Sequence, residues 1–331
     1  MLPDRLIDQT RVRIRELVPD SAGLLLAVSG GLDSMVLLHL AVQAIAKEPR
    51  RLAVAHLNHG LRGDAGQQDA ALVRAAAADF GLECFAETLP DDALKTASSG
   101  SLEEAARAAR YAFLERTARE HDFHFVAVAH HSDDQAETVL LNIVRGTGLA
   151  GLKGMSDRRA LSSQVQLVRP LLDFSRADLT TFAADRSISH AQDASNSSPE
   201  FTRNRIRHQL LPALRDSLNP GVDQALVRLA KQAGEQLACL DALADQLLQQ
   251  ALLESSESII RLSRSRLRQS PEPLVRHALI RLWDQQGWPR QRMTAAHWLR
   301  TTALLNQNSS VSLPEGLLAE SRADLLILRH D

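Results

Sequence analysis

Along the first half of the chain, short apolar runs alternate with longer stretches of helical period. Leu24-Leu25-Leu26-Ala27-Val28, Leu52-Ala53-Val54-Ala55, Glu83-Cys84-Phe85-Ala86, Phe125-Val126-Ala127-Val128-Ala129 and Val165-Gln166-Leu167-Val168 each read as a strand. Helical patterns lie between them, an alanine-rich one around 72–80 and another over 102–121. Strands alternating with helices predict an α/β fold, a mostly parallel twisted sheet with helices on both faces. In such sheets ligands bind beyond the carboxyl ends of strands, where the strand order reverses. The first, second and fourth runs end in Ser29, His56 and His130, so polar residues stand where that rule puts a site.

The pattern changes after Asn219-Pro220-Gly221, a strong breaker. From there the chain reads as one long helix over 222–253, with further helices over 272–286 and 292–306. Val311-Ser312-Leu313 and Leu325-Leu326-Ile327-Leu328 read as two closing strands around Pro314-Glu315-Gly316. The predicted division is an α/β nucleotide domain at 1–216 and a smaller, mainly helical domain with a short closing β-hairpin at 217–331. A length of 331 residues fits two domains.

Composition narrows the setting. The opening segment is charged and does not resemble a signal peptide, and no apolar run is long enough to cross a membrane. Cys84 and Cys239 are remote from each other, which suggests neither a disulfide framework nor a C-x-x-C metal site. A soluble, cytoplasmic protein is expected, with no membrane partner. Net charge is only −2, but between Arg261 and Arg300 stand nine arginines against two acids. Arg203, Arg205, Arg207 and Arg215 form a second basic cluster. Guanidinium groups suit bidentate phosphate contacts, so the distribution favours a polyanionic partner over merely solvated helix faces.

Ser29-Gly30-Gly31-Leu32-Asp33-Ser34 carries the chemistry. It joins the first strand to a helix start, Met35-Val36-Leu37-Leu38. Paired glycines let backbone N–H groups approach a ligand, and the helix N-terminus adds unpaired donors. Ser29 and Ser34 add hydroxyls, and Asp33 can hold a divalent cation. It is not a Walker A loop, because no lysine follows the glycines, nor a G-x-G-x-x-G turn. Two further constellations follow strands: His56-Leu57-Asn58-His59-Gly60-Leu61-Arg62, and His130-His131-Ser132-Asp133-Asp134-Gln135-Ala136-Glu137-Thr138. Asp134 and Glu137 share one side of a helix and can hold an ammonium group or share a magnesium ion. Each histidine could instead simply hydrogen-bond a strand end. No tetrahedral zinc set is apparent.

The S-G-G-x-D-S loop resembles the pyrophosphate loop of the N-type ATP pyrophosphatases. Taken with HLNHGLR, AHHSDDQAETVLLNIVRGTGLAGLKGM, EEAARAARYAFL, RPLL at 169–172 and DASNSSPEFTRNRIRHQLLPAL at 193–214, the chain resembles the tRNA(Ile)-lysidine synthases. The helical remainder is similar to that family's first C-terminal domain; longer members carry a further domain, for which this chain is too short. The resemblance implies ATP and Mg2+ as cofactors. Its partners would be free L-lysine and tRNA(Ile) with a CAU anticodon. It also implies a homodimer, since family members are often dimers. The reaction implied is adenylation of O2 of cytidine 34 followed by displacement of AMP by lysine.

Carried onto this chain, the resemblance places ATP on Ala27, Ser29, Gly30, Gly31, Leu32, Asp33, Ser34, His56 and His130, and magnesium on Asp33. It places lysine on Asp134 and Glu137. Arg110 and one of Arg205 or Arg207 would meet the phosphate or the activated base, making Asp33, Arg110, Asp134 and Glu137 the catalytic set. Arg203, Asn204, Arg205, Arg207, Arg276 and Arg281 are the expected tRNA contacts. The rivals are a 2-thiocytidine enzyme, which would need cysteine pairs, and an amidating synthetase, which would lack the helical domain. A non-enzymatic ATP sensor is the third, and it would not need Asp134 and Glu137.

Overall fold

The computed structural model describes residues 2–46, 48–61, 63–90, 102–191 and 202–330. It divides into two compact units, 1–231 and 232–331. The first opens with α1 (Leu2–Leu17), β1 (Leu24–Ala27), α2 (Leu32–Ile45), β2 (Leu52–Asn58), α3 (Asp64–Asp79), β3 (Glu83–Thr88), α4 (Leu102–Glu120) and β4 (Phe125–Ala127). There follow α5 (Ser132–Val144), α6 (Leu149–Leu152), β5 (Arg158–Ala160), β6 (Gln166–Val168), α7 (Arg176–Asp185), α8 (Thr202–Arg205), a π-helical turn (Ile206–Leu210), α9 (Leu211–Ser217) and the start of α10 (Val222–Ala251).

The sheet order is β3-β2-β1-β4-β6-β5, parallel except for β5. β1 lies between β2 and β4, with Leu24 in register with Leu52 on one side and Phe125 on the other. Strand order therefore reverses beside β1, which fixes where a crevice opens. Leu24 and Leu26 pack into the core with α2, while Leu25 faces the other way onto Ala53, Phe113 and Phe123. That period of two, with both faces covered, explains the nearly continuous apolar run. On the α2 side, residues of α1 and α7 such as Leu6, Ile14 and Phe182 complete the core. A smaller cluster joins Ala136 and Val139 of α5 to Ile206, Leu211, Leu226 and Ala230. Because the first turns of α10 belong to that cluster, the first compact unit runs past position 216 into α10.

The second unit holds the rest of α10, β7 (Leu252–Ser255), β8 (Ile259–Ser263), α11 (Arg264–Leu267), α12 (Glu272–Gln285), α13 (Ala295–Ala303), a 3-10 turn (Leu304–Asn306), β9 (Ser310–Ser312), β10 (Leu317–Arg322) and β11 (Leu325–His330). Its core centres on Trp283, whose ring meets Trp288 and Trp298 edge-on at 5.0 and 5.3 Å. Instead of a two-stranded closing hairpin, the chain builds a five-stranded antiparallel sheet, β7-β8-β11-β10-β9. The turn at Pro314-Glu315-Gly316 joins β9 to β10, and a second turn through Ala323 (φ 50°) joins β10 to β11. β10 alternates buried and less buried positions, the signal a strand-by-strand reading missed. Leu252 and Leu253, expected at the end of the long helix, begin β7 instead.

Leu26→Ala removes a fully buried side chain from the central strand and should lower the unfolding free energy by about 2–5 kcal/mol. Leu299→Ala, on the exposed side of α13, should stay within about 0.5 kcal/mol. Denaturant unfolding of the two variants checks both.

Candidate active site

The Ser29–Ser34 turn leaves β1 at the crevice. Gly30 has φ 95°, a conformation that strains any side-chain-bearing residue. Gly31 is the N-cap of α2 and supplies no side-chain acceptor to the helix's first N–H groups, which are left for an anion. Ser34 is turned inward: its hydroxyl accepts from the Ser29 N–H at 3.1 Å and donates to the Gly31 carbonyl at 2.9 Å. It braces the turn, while Ser29, exposed, lies 3.1 Å away, hydroxyl to hydroxyl. The Ala191 N–H donates to the Gly30 carbonyl at 2.9 Å and ties the turn from outside the sheet. Ala27 and Leu32, both half-buried, flank the turn.

Asp33, in the first turn of α2, has one carboxylate oxygen buried without a hydrogen-bond partner. The other lies 3.4 Å from Nη1 of Arg176 and 3.7 Å from Nε2 of His131. An orphaned carboxylate oxygen beside an anion-binding turn fits Mg2+, which commonly takes one or two carboxylates and fills its shell from substrate phosphates and water. Among the described residues no group of three His, Cys, Asp or Glu could hold a metal by itself. Asp33 would thus be the protein's own ligand to a phosphate-bound ion.

Three histidines, His56 inside β2 and His130 and His131 just beyond β4, have different surroundings. The Val28 carbonyl lies 2.8 Å from Nδ1 of His56, so that nitrogen carries the proton; Nε2 is buried and unpartnered. Burial holds the His56 pKa below its ordinary value. His130 accepts from Nε of Arg169 at 3.1 Å through Nδ1. Burial, aided by the charges of Arg169, Arg110 and Arg203, outweighs Asp134 and pushes His130 down to about 3. Burial would also lower its neighbour His131, but Asp33, Asp134 and Asp133 outweigh it and raise this imidazole. Nε2 of His131 lies 3.7 Å from Asp33 and 3.5 Å from Asp134, so one ring links the glycine turn to the acid pair.

Asp134 and Glu137, both buried, sit one turn apart on α5. Two arginines meet them. Arg203 donates from Nε to Glu137 at 2.9 Å and approaches Asp134 at 3.3 Å through Nη2. Arg207 donates to Glu137 at 2.5 Å through Nε and to Asp134 at 3.0 Å through Nη2. These arginines are four apart, and the π-helical turn begins between them, a distortion that often re-aims side chains at functional sites. Burial would raise Asp134, but the charges of His131 and Arg203 and the His131 N–H hold it below the usual carboxylate range. The structure therefore brings Asp33, His130, Asp134, Glu137, Arg203 and Arg207 together. Arg203 and Arg207, expected to face RNA, face the acids; Arg205 is exposed and Asn204 half-buried.

Arg110 lies on α4 with Nε buried and unpartnered. Arg281 is bound by Asp245 at 2.7 Å and Asp241 at 2.9 Å, and Arg276 pairs with Glu272 at 3.0 Å. Arg264 is buried, donating to the Leu305 carbonyl at 2.9 Å. The run of nine arginines is thus substantially countered by acids from α10 and elsewhere, which a local charge count does not register. Sequence reasoning gave Arg169, Arg176 and Tyr111 no role. An arginine directly after an apolar strand, as Arg169 is, was the available signal. Arg62 of the HLNHGLR stretch and residues 193–201 of the DASNSSPEF stretch lie outside the described residues.

Residues 7–214 match the family described as the PP-loop domain. The bifunctional protein TilS/HprT of Listeria monocytogenes is 32% identical over 333 residues, covering 97% of this chain and 50% of that protein. The tRNA(Ile)-lysidine synthase of a Nostoc species is 31% identical over 333 residues, covering 96% of this chain and 94% of that one. This chain thus spans half the length of the first and nearly all of the second. Among solved structures, the U34-tRNA thiolase NcsA of Methanococcus maripaludis, with its 4Fe–4S cluster, is similar with a TM-score of 0.57 at 18% identity, covering 69% of this chain and 80% of that one. That likeness concerns the fold.

The two adjacent imidazoles should titrate in opposite directions from an unfolded value near 6.5. His130 binds its proton only near pH 3, so its contribution to stability is full above about pH 6.5 and is lost as pH falls toward 3. The contribution of His131 is full below about pH 6.5 and is lost as pH rises through its raised folded value. Imidazole NMR should find His130 neutral at pH 5. Asp33→Asn should lower the His131 midpoint; an unmoved midpoint would remove Asp33 from its electrostatic surroundings.

Proposed function

The chain belongs to the PP-loop family and within it to the tRNA(Ile)-lysidine synthases, and on that premise we propose that it ligates L-lysine to C2 of cytidine 34 in the CAU anticodon of tRNA(Ile). ATP is cleaved to AMP and pyrophosphate. The observation that carries this reading is the linkage through His131: an anion-binding turn with an orphaned carboxylate and a buried acid pair converge on one imidazole.

The chemistry then divides between them. In the first step, O2 of the cytidine forms a bond to the α-phosphorus of ATP, and the bond to pyrophosphate breaks. The N–H groups at the start of α2 and the Ser29 hydroxyl would stabilise charge on the phosphate oxygens. Asp33 would hold Mg2+, which would supply charge neutralisation to the pyrophosphate leaving group. In the second step, the lysine ε-nitrogen, having lost a proton, bonds to C2, and the C2–O bond breaks to release AMP. Asp134 and Glu137 would bind lysine's ammonium groups and orient the amine; one of them could take the proton. Neutral His56 and His130 line the crevice as hydrogen-bonding groups that add no charge at the nucleotide. Arg110, with Arg205 or Arg207, would meet the phosphate or the activated base.

In the wider assignment, 1–216 is the ATP-pyrophosphatase catalytic domain and 217–331 a tRNA-binding domain to which Arg276 and Arg281 contribute. A cytoplasmic homodimer is the assembly expected from the family. Among the described residues no helix is long and apolar enough to cross a membrane. A thiolase is the second reading, since the fold is shared with one. Against it, the chain has two cysteines, of which Cys84 is half-buried on β3 with its thiol pushed up by burial. Two thiols fall short of the ligands of a typical cluster.

Incubation with ATP, labelled lysine and CAU-anticodon tRNA should transfer label to RNA with AMP and pyrophosphate released. Production of ADP, or turnover indifferent to RNA, would overturn the proposal. Asp33→Asn should cut AMP formation by about 10²–10³. Glu137→Gln should raise the lysine KM by roughly tenfold while leaving the ATP KM near wild type, as expected for one lost charge-assisted contact.

A further inference from the structure

Cations on α4 and β5 surround Tyr111, the chain's single tyrosine. The guanidinium carbons of Arg159, Arg107 and Arg110 lie 4.5, 5.2 and 5.2 Å from its ring centre. The Tyr111 hydroxyl is buried beside the Arg110 guanidinium, and Nε of Arg110 is buried with no hydrogen-bond partner. Among the described residues, no carboxylate lies within ion-pair distance of Arg110 or Arg159. Burial alone would raise the phenol, yet the charges of Arg110, Arg107 and Arg159, with a hydrogen bond from Arg110, outweigh it and lower Tyr111. Burial and the neighbouring arginines likewise lower Arg107. Arg169, buried, extends the group toward the crevice through its bond to His130.

Such a group is incomplete as it stands. Like charges that no described carboxylate offsets repel one another, and the buried Nε of Arg110 forfeits a hydrogen bond. A phosphate group resolves both, since its oxygens accept from guanidinium forks and from a phenol. Two sources of phosphate are available to an ATP-consuming RNA enzyme, the RNA backbone and pyrophosphate. The cluster is built on α4 and β5, which contribute nothing to the turn between β1 and α2. β5 is a fully exposed edge strand, open to a polymer running past it.

We propose that Arg107, Arg110, Arg159 and the Tyr111 hydroxyl form an anion subsite for a phosphodiester of the RNA substrate. The inference rests on the reading that the chain acts on RNA. It adds Arg107, Tyr111 and Arg159 to the binding surface, and it gives Arg110 a backbone phosphate as its partner.

The single tyrosine makes the test direct. Tyrosinate absorbance of the full chain is titrated alone, with a CAU anticodon stem-loop RNA, and with inorganic pyrophosphate. The RNA should raise the Tyr111 midpoint, because bound phosphate opposes ionisation, and pyrophosphate should not. Arg159→Gln should weaken stem-loop binding roughly fivefold to tenfold and reduce the slope of log affinity against log salt by about 0.7. Its ATP KM should not change. Tyr111→Phe, nearly isosteric, should weaken RNA binding with an unchanged unfolding transition. A midpoint moved by pyrophosphate instead of RNA overturns the assignment to RNA. RNA that binds without moving the midpoint, and equally well to Arg159→Gln, overturns the subsite. A midpoint raised by RNA in a chain that releases no AMP supports the subsite and counts against the reaction alone.

Discussion

Two carboxylates taken out of water at the start of α5 impose conditions on everything around them. An unpaired buried carboxylate would protonate or destabilise the fold, so Asp134 and Glu137 must be met by fixed cations with good geometry. Arg203 and Arg207 meet that condition through direct contacts to both acids. The packing of Ala136 and Val139 against Ile206, Leu211, Leu226 and Ala230 holds the arginine-bearing segment at the correct height. A buried ion pair of this kind contributes little net stability, but losing one partner is costly. Its persistence is better explained by what the acids can do than by what they hold together.

The same acids set the charge of their neighbours. His131 lies among Asp33, Asp133 and Asp134 and is raised, while His130, one residue earlier, is lowered by burial and by the arginines beside it. Consecutive residues leaving a strand point to opposite sides, so the end of β4 delivers an imidazole of raised pKa to the glycine turn and one of lowered pKa to Arg169. The reversal of strand order beside β1 makes this useful. It puts the end of β4 next to the turn that follows β1 with no intervening strand.

Much of the α/β unit could be read from local pattern. Its apolar strands are buried on both faces, so their runs are unbroken, and the glycine turn combines a strand, a positive φ and a helix start in a few residues. The positions of Asp33 and Asp134, each in the first turn of a helix that follows a strand, and of Glu137 one turn beyond Asp134, were legible for the same reason. What local pattern could not give was pairing between distant segments. Arg203 and Arg207 lie far from α5 in sequence; composition suggested only a polyanionic partner for them, and the resemblance made that partner tRNA. β5 is three residues with two arginines, and β7 follows a long helix in leucine-rich sequence, so neither carried a strand signal. The expected hairpin became a sheet because β10 begins with two leucines and offers only a weak alternation.

The arginine pair also bears on how a cationic substrate would enter. Guanidinium and ammonium compete for the same oxygens, and Glu137 already accepts three hydrogen bonds from Arg203 and Arg207. An incoming ammonium therefore replaces a cation already present, and the acid pair keeps its neutral balance throughout. The displaced guanidinium cannot remain buried without a counter-charge, so it must find water or an anion. Were the glycine turn to hold a phosphate, the second option would keep the charge inside the site. Ammonium binding at α5 and phosphate binding at α2 would then favour one another through a side chain that belongs to neither element, and under the proposed ligation that coupling would order the two half-reactions in one crevice.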